Sequence, residues 1–475
     1  SLVYDEFFFL ELGLAMKRRG IVLKPGIPFQ VTHTYTRPLA GMLPYRLTAA
    51  QKRVLGQIKQ DLMAPHPMNR LIQGDVGCGK TIVAMMTALV AIENDTQVAV
   101  VAPTEILAEQ HFLLFNQWFE RLGLQVVLLR GKMPAAEKRQ ALEAVREGRA
   151  HLVVGTHAVL QEQIEFHNLG LGIIDEQHRF GVRQRAVLHQ KGNNPHILVM
   201  TATPIPRTLS MTLYGDLALS VIDEMPPGRS PVETRVIAEG RRSEAYDLMR
   251  RAFAQGQQAY LVYPLVEETE NSDLLAATEG AEFLKQEIFP DISIGLLHGR
   301  ITSEEKQQIM ARFNDGDIDL LVSTTVIEVG IDVPNATVMV VEHAERFGLA
   351  QLHQLRGRVG RGKAGGLCVL IKSVKCSEDG DRRLAVMEST TDGFRIAEAD
   401  LEIRGPGEFL GTRQSGLPDF RVANILRDSS ILEAARHDAF HLINQYGDLT
   451  SPEFRLLREE LRHRWGQRLE LASIG

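Results

Sequence analysis

Residues 74–81 constrain the fold of this chain more than any other segment. They read GDVGCGKT, which matches the pattern G-x-x-x-x-G-K-[ST]. Leu71, Ile72 and Gln73 precede them and a helical pattern at 82–92 follows, so the context is strand, loop and helix. Glycines let backbone N–H groups close around phosphates, and a helix N-terminus favours negative charge. The segment therefore predicts an α/β fold that binds a nucleoside triphosphate.

The predicted phosphate loop contains side chains with distinct expected roles. We expect Lys80 to reach the β- and γ-phosphates and the Thr81 hydroxyl to ligate Mg²⁺. The whole loop is expected to hold the nucleotide, through Gly74, Asp75, Val76, Gly77, Cys78, Gly79, Lys80 and Thr81. A glycine-rich turn without a ligand is the alternative, and the flanking strand and helix patterns argue against it.

A second set of candidate residues follows the apolar run LGII at 171–174. This run predicts a buried parallel strand, with Asp175 and Glu176 at its carboxyl end, where ligands bind in open α/β sheets. We expect Asp175 to hold Mg²⁺ and Glu176 to orient and deprotonate the attacking water. Alone, such a pair is more often the start of a solvated loop. Here the pair lies downstream of a phosphate loop and is followed by Gln177 and His178, and this context favours a catalytic role for the pair.

The composition and the cysteine spacing limit the classes of protein to which this chain can belong. The chain has 475 residues, of which 44% are hydrophobic and 24% charged, and this length can bury about two to four cores. The sequence contains no run that approaches 18 consecutive apolar residues, so we expect no membrane span. The three cysteines, Cys78, Cys368 and Cys376, form no C-x-x-C spacing, which supports neither a disulfide framework nor a zinc site. We therefore expect a cytoplasmic enzyme.

Short apolar runs alternate with helical patterns in two successive cycles. Strand candidates are 98–101, 126–129, 151–154, 171–174 and 197–200, followed by 258–263, 293–297, 319–323, 337–342 and 366–371. Residues 223–231 interrupt the periodicity between the cycles, as a linker rich in Pro and Gly does. We therefore predict two α/β lobes with doubly wound parallel sheets, of which only the first has a phosphate loop.

The second cycle contains the arginine-rich segment QLRGRVGR at 354–361. We predict that Arg358 and Arg361 lie at the start of a helix, where their spacing of three lets both face one cleft. Arginines placed on a γ-phosphate in transfer can accelerate hydrolysis by ~10³ to 10⁵. If they act this way, turnover requires closure of the lobes. The alternative is a solvated arginine-rich face or a plain nucleic-acid contact, since 346–363 holds five basic residues and no acid.

Together these segments resemble the motifs of superfamily 2 helicases over nearly the whole of both cycles. In order, they are LTAAQ (47–51), the phosphate loop, APTEILAEQ (102–110), GTH (155–157), DEQH (175–178), TATPIPRTL (201–209), HGR (298–300), TTVIEVGIDVP (324–334) and QLRGRVGR (354–361). Within that superfamily, 201–232 and 400–416 closely resemble the RecG family of bacterial branched-DNA translocases. Transcription-repair coupling factors share the later segment, whereas DEMPPGRSPV at 223–232 favours the RecG family.

The resemblance implies two RecA-like lobes, followed by a translocation region built on a helical hairpin. It implies ATP as the nucleotide, because Gln51 matches the glutamine that reads adenine. Asp332 resembles a contact to the ribose or to an arginine finger, and Gln354 belongs to the motif of the two arginines and is expected to act with them. Further coupling or DNA-contacting residues are implied at His178, Thr201, Thr203, Arg383, Arg404 and Gln414.

The resemblance also divides the chain. We expect 1–30 to be a helix leading out of a wedge domain, 31–225 the first lobe, 226–375 the second, and 376–475 the translocation motif and C-terminal helices. RecG-like proteins carry an N-terminal wedge with an oligonucleotide-binding fold, and no matching set of short strands precedes the first lobe here. The chain is therefore expected to be either a fragment or a family member that lacks its wedge, and the start of the sequence within a helical pattern favours a fragment.

The implied substrate is branched double-stranded DNA, at stalled replication forks and Holliday junctions. The resemblance further suggests a monomer in the bacterial cytoplasm, associated with the nucleoid, and an interaction with single-stranded DNA-binding protein. Three other functions stay open: a transcription-coupled translocase, an RNA helicase, and a scaffold that binds ATP without hydrolysing it. The intact pair Asp175 and Glu176 argues against the scaffold.

Overall fold

The structure is a computed structural model. It describes residues 2–22, 25–131, 133–175, 181–202, 205–206, 210, 217–226, 231–264, 270–324, 333–362, 365–404, 420–425 and 427–465. The chain forms two compact units: the first contains Ser1–Glu224 and Arg404–Gly475, and the second contains Met225–Ile403. The second unit is therefore inserted, in sequence, within the first.

The first unit is built on a sheet with seven described strands in parallel pairs. They are β1 (Asn69–Gly74), β2 (Gln97–Val101), β3 (Val126–Leu129), β4 (Leu152–Gly155), β5 (Leu169–Asp175), β6 (His196–Thr201) and β7 (Ala218–Ile222). Their order is β3-β4-β2-β5-β6-β1-β7. Because both faces of the sheet are covered, β1, β2, β4 and β6 are buried along their whole length.

Helices alternate with these strands along the chain. They are α1 (Leu2–Val22), α2 (Thr36–Met42), α3 (Ala49–Leu62), α4 (Lys80–Ile92), α5 (Glu105–Phe119), α6 (Ala135–Arg146) and α7 (Gly181–Lys191). Alternate residues of β2 enter different cores: Val98 and Val100 pack in one cluster, Ala99 and Val101 in another. Side chains of a strand point to opposite faces in turn, so the sheet has a hydrophobic core on each face. The predicted doubly wound lobe is confirmed.

The second unit contains a sheet with six described strands, again in parallel pairs. They are β8 (Val232–Ala238), β9 (Gln258–Tyr263), β10 (Ile294–Leu297), β11 (Leu320–Thr324), β12 (Ala336–Val341) and β13 (Gly366–Lys372), in the order β10-β11-β9-β12-β13-β8. Its helices are α8 (Arg242–Ala254), α9 (Glu270–Phe283), α10 (Ser303–Asn314), α11 (Leu349–Arg356), α12 (Glu378–Ser389) and α13 (Gly393–Arg404). The second predicted α/β lobe is therefore confirmed as well.

The C-terminal helices α14 (Ser429–Tyr446) and α15 (Arg455–Trp465) pack against α1. Leu10 and Leu12 of α1 share a buried cluster with Ala439 and Ile443 of α14. Inside this seam the buried carboxylate of Glu11 accepts a 2.7 Å hydrogen bond from Arg436 Nη1. The first and last described helices of the chain therefore belong to one core.

The structure adds elements that the sequence patterns do not predict. The strands β7 and β8 lie on either side of the Pro- and Gly-rich run 223–231, and both join sheets. Residues 376–475, expected to form one C-terminal region, are divided between the two units. Among the described helices, none is both long enough and apolar enough to cross a membrane.

Candidate functional site

The phosphate loop connects the buried strand β1 to the N-terminus of α4. Gly77 and Gly79 have φ angles of 80° and 87°, a left-handed conformation that glycine adopts without steric strain. Lys80, the first residue of α4, donates from Nζ to the carbonyl oxygens of Gly74 at 2.7 Å and Asp75 at 2.9 Å. Carbonyl oxygens are neutral, so these bonds hold the ammonium over the loop without neutralising it.

Close packing also fixes the loop glycines. A Cβ atom on Gly74 would collide with the sulfur of Cys78 and the carbonyl oxygen of Ile222 in β7. Cys78 is fully buried, and this burial raises the pKa of its thiol, which keeps the thiol protonated and inert. The sulfur therefore acts as packing beneath the loop.

Gln51, expected to read adenine, contacts the phosphate loop itself. Its Nε2 donates to the carbonyl oxygen of Cys78 at 2.9 Å, and its Oε1 accepts from the backbone N–H of Thr48 at 2.9 Å. The second bond belongs to the capping box that begins α3, because Thr48 Oγ1 accepts from Gln51 N in return. A Cβ on Gly79 would collide with the same carboxamide. Gln51 therefore braces the loop.

A further polar contact joins the end of β1 to the TATPIPRTL segment. Gln73 Nε2 donates to the carbonyl oxygen of Ile205 at 2.6 Å, and Ser210 Oγ donates to Gln73 Oε1 at 3.2 Å. Thr201 ends the adjacent strand β6 and is paired in register with Gln73. The sequence analysis did not identify Gln73, although a buried amide directly before a phosphate loop requires polar partners.

Asp175 lies at the carboxyl end of β5, as predicted. Its Oδ2 is 2.6 Å from Nε2 of His111 on α5, and both side chains are almost wholly buried. The parallel strands β5, β6 and β1 are neighbours, so Asp175 and the phosphate loop lie at the same edge of the sheet. Thr81 and Asp175 offer the oxygen ligands that Mg²⁺ takes in proteins.

Several expected site residues fall outside the described residues. They are Glu176, His178, Thr203, Asp332 and Gln414. In the part of the chain that the structure describes, no group of three His, Cys, Asp or Glu side chains is arranged to hold a metal ion.

Arg358 and Arg361 do not lie at the start of a helix, and that prediction is wrong. Helix α11 contains Gln354 and ends at Arg356; Arg358 lies in the turn that follows, and Arg361 lies beyond that turn in irregular structure. Gly357 caps the helix, and Gly360 has a φ of 71°, which is unsuited to helix continuation. Burial raises the pKa of the Tyr260 phenol, and the nearby guanidinium groups of Arg358 and Arg361 both oppose this rise.

The same motif contains a third arginine, Arg356, with a structural role. It is buried, and its Nη1 donates to the carbonyl oxygens of Met387 at 3.0 Å and Thr390 at 2.8 Å. Those carbonyls lie at the end of α12, where the chain turns towards α13. Arg356 therefore ties the arginine-bearing segment to the predicted translocation hairpin.

Two of the residues expected to couple hydrolysis to movement, Arg383 and Arg404, lie on that pair of helices. Arg383 on α12 donates from Nη2 to the carbonyl oxygen of Glu345 at 2.8 Å. Arg404 is the last residue of α13 and is exposed. The structure therefore places Arg383 in a packed position and Arg404 at a helix end.

Three family models match successive parts of the chain. The DEAD/DEAH box helicase model matches residues 48–212, and the helicase conserved C-terminal domain matches 244–363. The C-terminal part of domain 3 of the ATP-dependent DNA helicase RecG matches 390–475.

Curated relatives are similar over nearly the whole chain. ATP-dependent DNA helicase RecG of Synechocystis sp. is 53% identical over 92% of this chain and 53% of its own length. The RecG helicase of Haemophilus influenzae is 47% identical over 99% of this chain and 68% of its own length. The chain thus spans between about half and two thirds of these relatives.

Solved structures agree with this likeness. A structure of RecG bound to a three-way DNA junction has a TM-score of 0.75 and 45% sequence identity, and covers 91% of this chain and 56% of that chain. Saccharomyces cerevisiae Dbp5 bound to RNA has a TM-score of 0.55 at 16% identity over 86% of this chain and 98% of its own, which shows the shared fold alone.

Proposed function

The chain belongs to the RecG family of ATP-dependent DNA helicases, and from this we propose that it hydrolyses ATP to move along branched double-stranded DNA. The observation that carries the proposal is the preorganised phosphate loop. Lys80 is held over the loop by two carbonyl oxygens, and Gln51 braces the loop from below. A loop fixed in advance loses little conformational entropy when phosphates bind.

In the proposed ATPase reaction, each residue acts on a different part of the nucleotide. Lys80 and the backbone of the loop bind the phosphates, while Thr81 and Asp175 would hold Mg²⁺, which neutralises charge on the phosphates when bound. Glu176 would take the proton of the attacking water, and Asp332 would contact the ribose or an arginine finger. The proton would move from the water oxygen to the Glu176 carboxylate as that oxygen attacks the γ-phosphorus, while the bond from this phosphorus to the β–γ bridging oxygen breaks and ADP leaves.

Charge that develops on the γ-phosphate would be stabilised by Arg358 and Arg361, with Gln354 acting beside them. Both arginines follow α11 within five residues of its last residue, Arg356, and this common location supports a joint role. If both act on one phosphate, loss of either should reduce hydrolysis by a similar factor.

Movement on DNA would depend on residues that respond to the nucleotide. We propose that His178, Thr201 and Thr203 respond to its state, and that Arg383, Arg404 and Gln414 pass this response to the duplex. The contact of Arg356 with the carbonyls of Met387 and Thr390 supports such a connection within the second unit, because it joins the arginine segment to the hairpin.

The proposed substrates are forked DNA and Holliday junctions in DNA repair and recombination. Contacts to phosphates carry no sequence information, so binding should depend strongly on salt and on DNA shape. Action in the bacterial cytoplasm at the nucleoid, a monomeric state and contact with single-stranded DNA-binding protein belong to the same proposal.

The proposal is tested by measuring ATP hydrolysis with four nucleic acids at one salt concentration. Forked DNA, linear duplex, single-stranded DNA and RNA are compared, and duplex or forked DNA should stimulate hydrolysis most. Glu176→Gln serves as the control for a specific reaction, because it should bind ATP and lose turnover. Stimulation by RNA alone would contradict the choice of DNA, and hydrolysis that survives in Glu176→Gln would contradict the site.

A further inference from the structure

His111 occupies an unusual place on α5. The buried face of this helix consists of Ala108, His111, Phe115 and Phe119, at the spacing of an amphipathic helix. Three of the four are apolar, so the imidazole interrupts a hydrophobic stripe. A polar group in such a stripe requires a hydrogen-bond partner, because burial without one costs about 1 to 3 kcal/mol.

The partner of His111 is Asp175. Thr104 is the N-cap of α5, and its Oγ1 accepts a hydrogen bond from the backbone N–H of Leu107. This cap sets the first residue of the helix and therefore the position of each later turn. Helix α5 follows β2, which is adjacent and parallel to β5, and the contact of His111 with Asp175 joins the second turn of α5 to the carboxyl end of β5. The imidazole packs edge-on against Phe115, with ring centroids 6.3 Å apart. Its Nε2 therefore reaches the Asp175 carboxylate in a fixed orientation, at 2.6 Å from Oδ2.

We propose that His111 is a positioning residue that orients the Asp175 carboxylate for Mg²⁺ bound with the nucleotide. The inference rests on the proposed function, in which Asp175 holds the metal. A carboxylate that turns freely must be ordered each time the metal binds, whereas a carboxylate held through one oxygen is already ordered. Groups that hydrogen-bond a metal ligand in this way typically contribute 10- to 100-fold to metal affinity or activity.

Two substitutions separate this role from simple packing. His111→Leu removes the N–H donor and keeps an apolar side chain in the stripe beside Phe115. His111→Gln restores an N–H donor at a similar distance from the backbone. If His111 positions the carboxylate, the leucine variant loses metal affinity and the glutamine variant regains most of it. If His111 only fills space, the leucine variant should equal or exceed the glutamine variant.

The experiment measures Mn²⁺ binding to the protein–ADP complex, through loss of the electron paramagnetic resonance signal of free Mn²⁺. His111→Leu is expected to weaken Mn²⁺ binding about 10- to 100-fold, and His111→Gln to remain within a few-fold of wild type. ADP affinity in EDTA should be unchanged in both variants, which also establishes that they are folded. His167→Leu, which replaces an exposed histidine of the same unit, is the matched control and should bind Mn²⁺ as wild type does.

Each outcome has a separate meaning. Unchanged Mn²⁺ affinity in His111→Leu would overturn the positioning role, even if hydrolysis declined. Equal loss in the leucine and glutamine variants would also overturn it, because the donor would then make no difference. If wild-type protein bound neither ADP nor Mn²⁺, the proposed function would fail first and the role of His111 with it.

Discussion

The two sheets have the same strand order but use equivalent positions differently. When the strands of each unit are numbered from one in chain order, both sheets have the strand order 3-4-2-5-6-1. The first unit has β7 as an additional edge strand beside β1. By this count β1 corresponds to β8, and β5 corresponds to β12. The helices that follow the first strands are α4 and α8, which begin at Lys80 and Arg242. Each unit therefore has a basic residue at the same topological position.

The fifth strands complete the correspondence. Asp175 ends β5 in the first unit, and Glu342 directly follows β12 in the second. In the second unit, Glu342 accepts two hydrogen bonds from Arg242, from Nε at 2.7 Å and from Nη2 at 2.9 Å. This bond to Glu342 raises the pKa of Arg242. In the first unit, Lys80 contacts carbonyl oxygens and Asp175 contacts a histidine.

The two units thus have the same sheet topology but pair the basic and acidic side chains at these positions differently. Where the basic and acidic groups pair with each other, as in the second unit, they stabilise the fold and neutralise each other's charge. Where the two groups are held apart by other partners, as in the first unit, they do not neutralise each other and are available for the proposed binding of phosphate and metal. The connection after β1 is a glycine-rich loop, whereas the one after β8 is the short 3₁₀ turn Glu239–Arg241.

The largest expected effect is on hydrolysis. Lys80→Ala should reduce the ATPase rate by ~10²- to 10³-fold, because it removes the cation that we propose binds the phosphates. Arg242→Ala should retain a rate within about threefold of wild type at temperatures where the variant is folded, because its charge is used within the second unit. Steady-state hydrolysis of both variants is the measurement. A comparable loss in both would end the functional distinction between the two positions.

Stability should show the opposite ranking. Arg242→Ala leaves the carboxylate of Glu342, whose side chain is only 3% exposed, without its bidentate partner. Removing one member of a buried pair costs about 3 to 5 kcal/mol. Because the Arg242 side chain is 32% exposed, we expect about 2 to 3 kcal/mol. Lys80→Ala should change the free energy of unfolding by less than about 1 kcal/mol.

Chemical denaturation measures this difference. The double variant Arg242→Met with Glu342→Leu is the control, since replacing both charges by apolar groups should recover most of the lost stability. If the double variant lost as much free energy of unfolding as Arg242→Ala, packing and not the charge pair would determine the stability at this position.

Two matched glycines test the loops. Gly79→Ala forces a Cβ into the carboxamide of Gln51 at a φ of 87°, so nucleotide affinity should decrease by about tenfold. Gly240 lies in the corresponding turn of the second unit, with open space around the position of a Cβ. Gly240→Ala should leave affinity unchanged. Equilibrium binding of a fluorescent ADP compares the two, and equal effects would contradict a specialised loop in the first unit.

The smallest effect concerns Gln51. Gln51→Ala removes the brace to Cys78 O, and ATP affinity should decrease by about three- to tenfold, as for loss of one hydrogen bond. If Gln51 only braces the loop, the affinities for ATP and for GTP should decrease by the same factor. If it also reads adenine, the preference for ATP over GTP should decrease as well. Competition between ATP and GTP in hydrolysis distinguishes the two, and an unchanged ATP affinity would exclude both roles.

Much of the fold could be predicted from the sequence because its strands are short, apolar and separated by helical patterns. The predicted strands at 126–129 and 258–263 have the observed bounds, and the others differ by one or two residues at one or both ends. The strand β8 was missed because it directly follows the Pro- and Gly-rich run, and because its burial does not alternate strictly. Its position becomes evident only through pairing with β13, more than a hundred residues later.

The site was predictable where chemistry depends on local spacing. Lys80, Thr81 and Asp175 lie where strand-loop-helix patterns place them. His111 was missed because a histidine among apolar residues has the pattern of ordinary core, and its partner is 64 residues away. The helix position of Arg358 was misjudged, since Gly357 ends the helix and the spacing of the arginines does not reveal this.

The seam between α1 and α14 has a consequence for the order of folding during synthesis. Tyr4 bonds to Asp438 across 434 residues, and Leu10 and Leu12 are buried against Ala439 and Ile443. Ribosomes add about 5 to 20 residues per second, so α14 is synthesised roughly 20 to 80 s after α1. During this time the apolar face of α1 has no α14 to pack against. The inserted second unit is complete before then. Newly made chains should therefore bind chaperones through the apolar face of α1 until α14 has been synthesised.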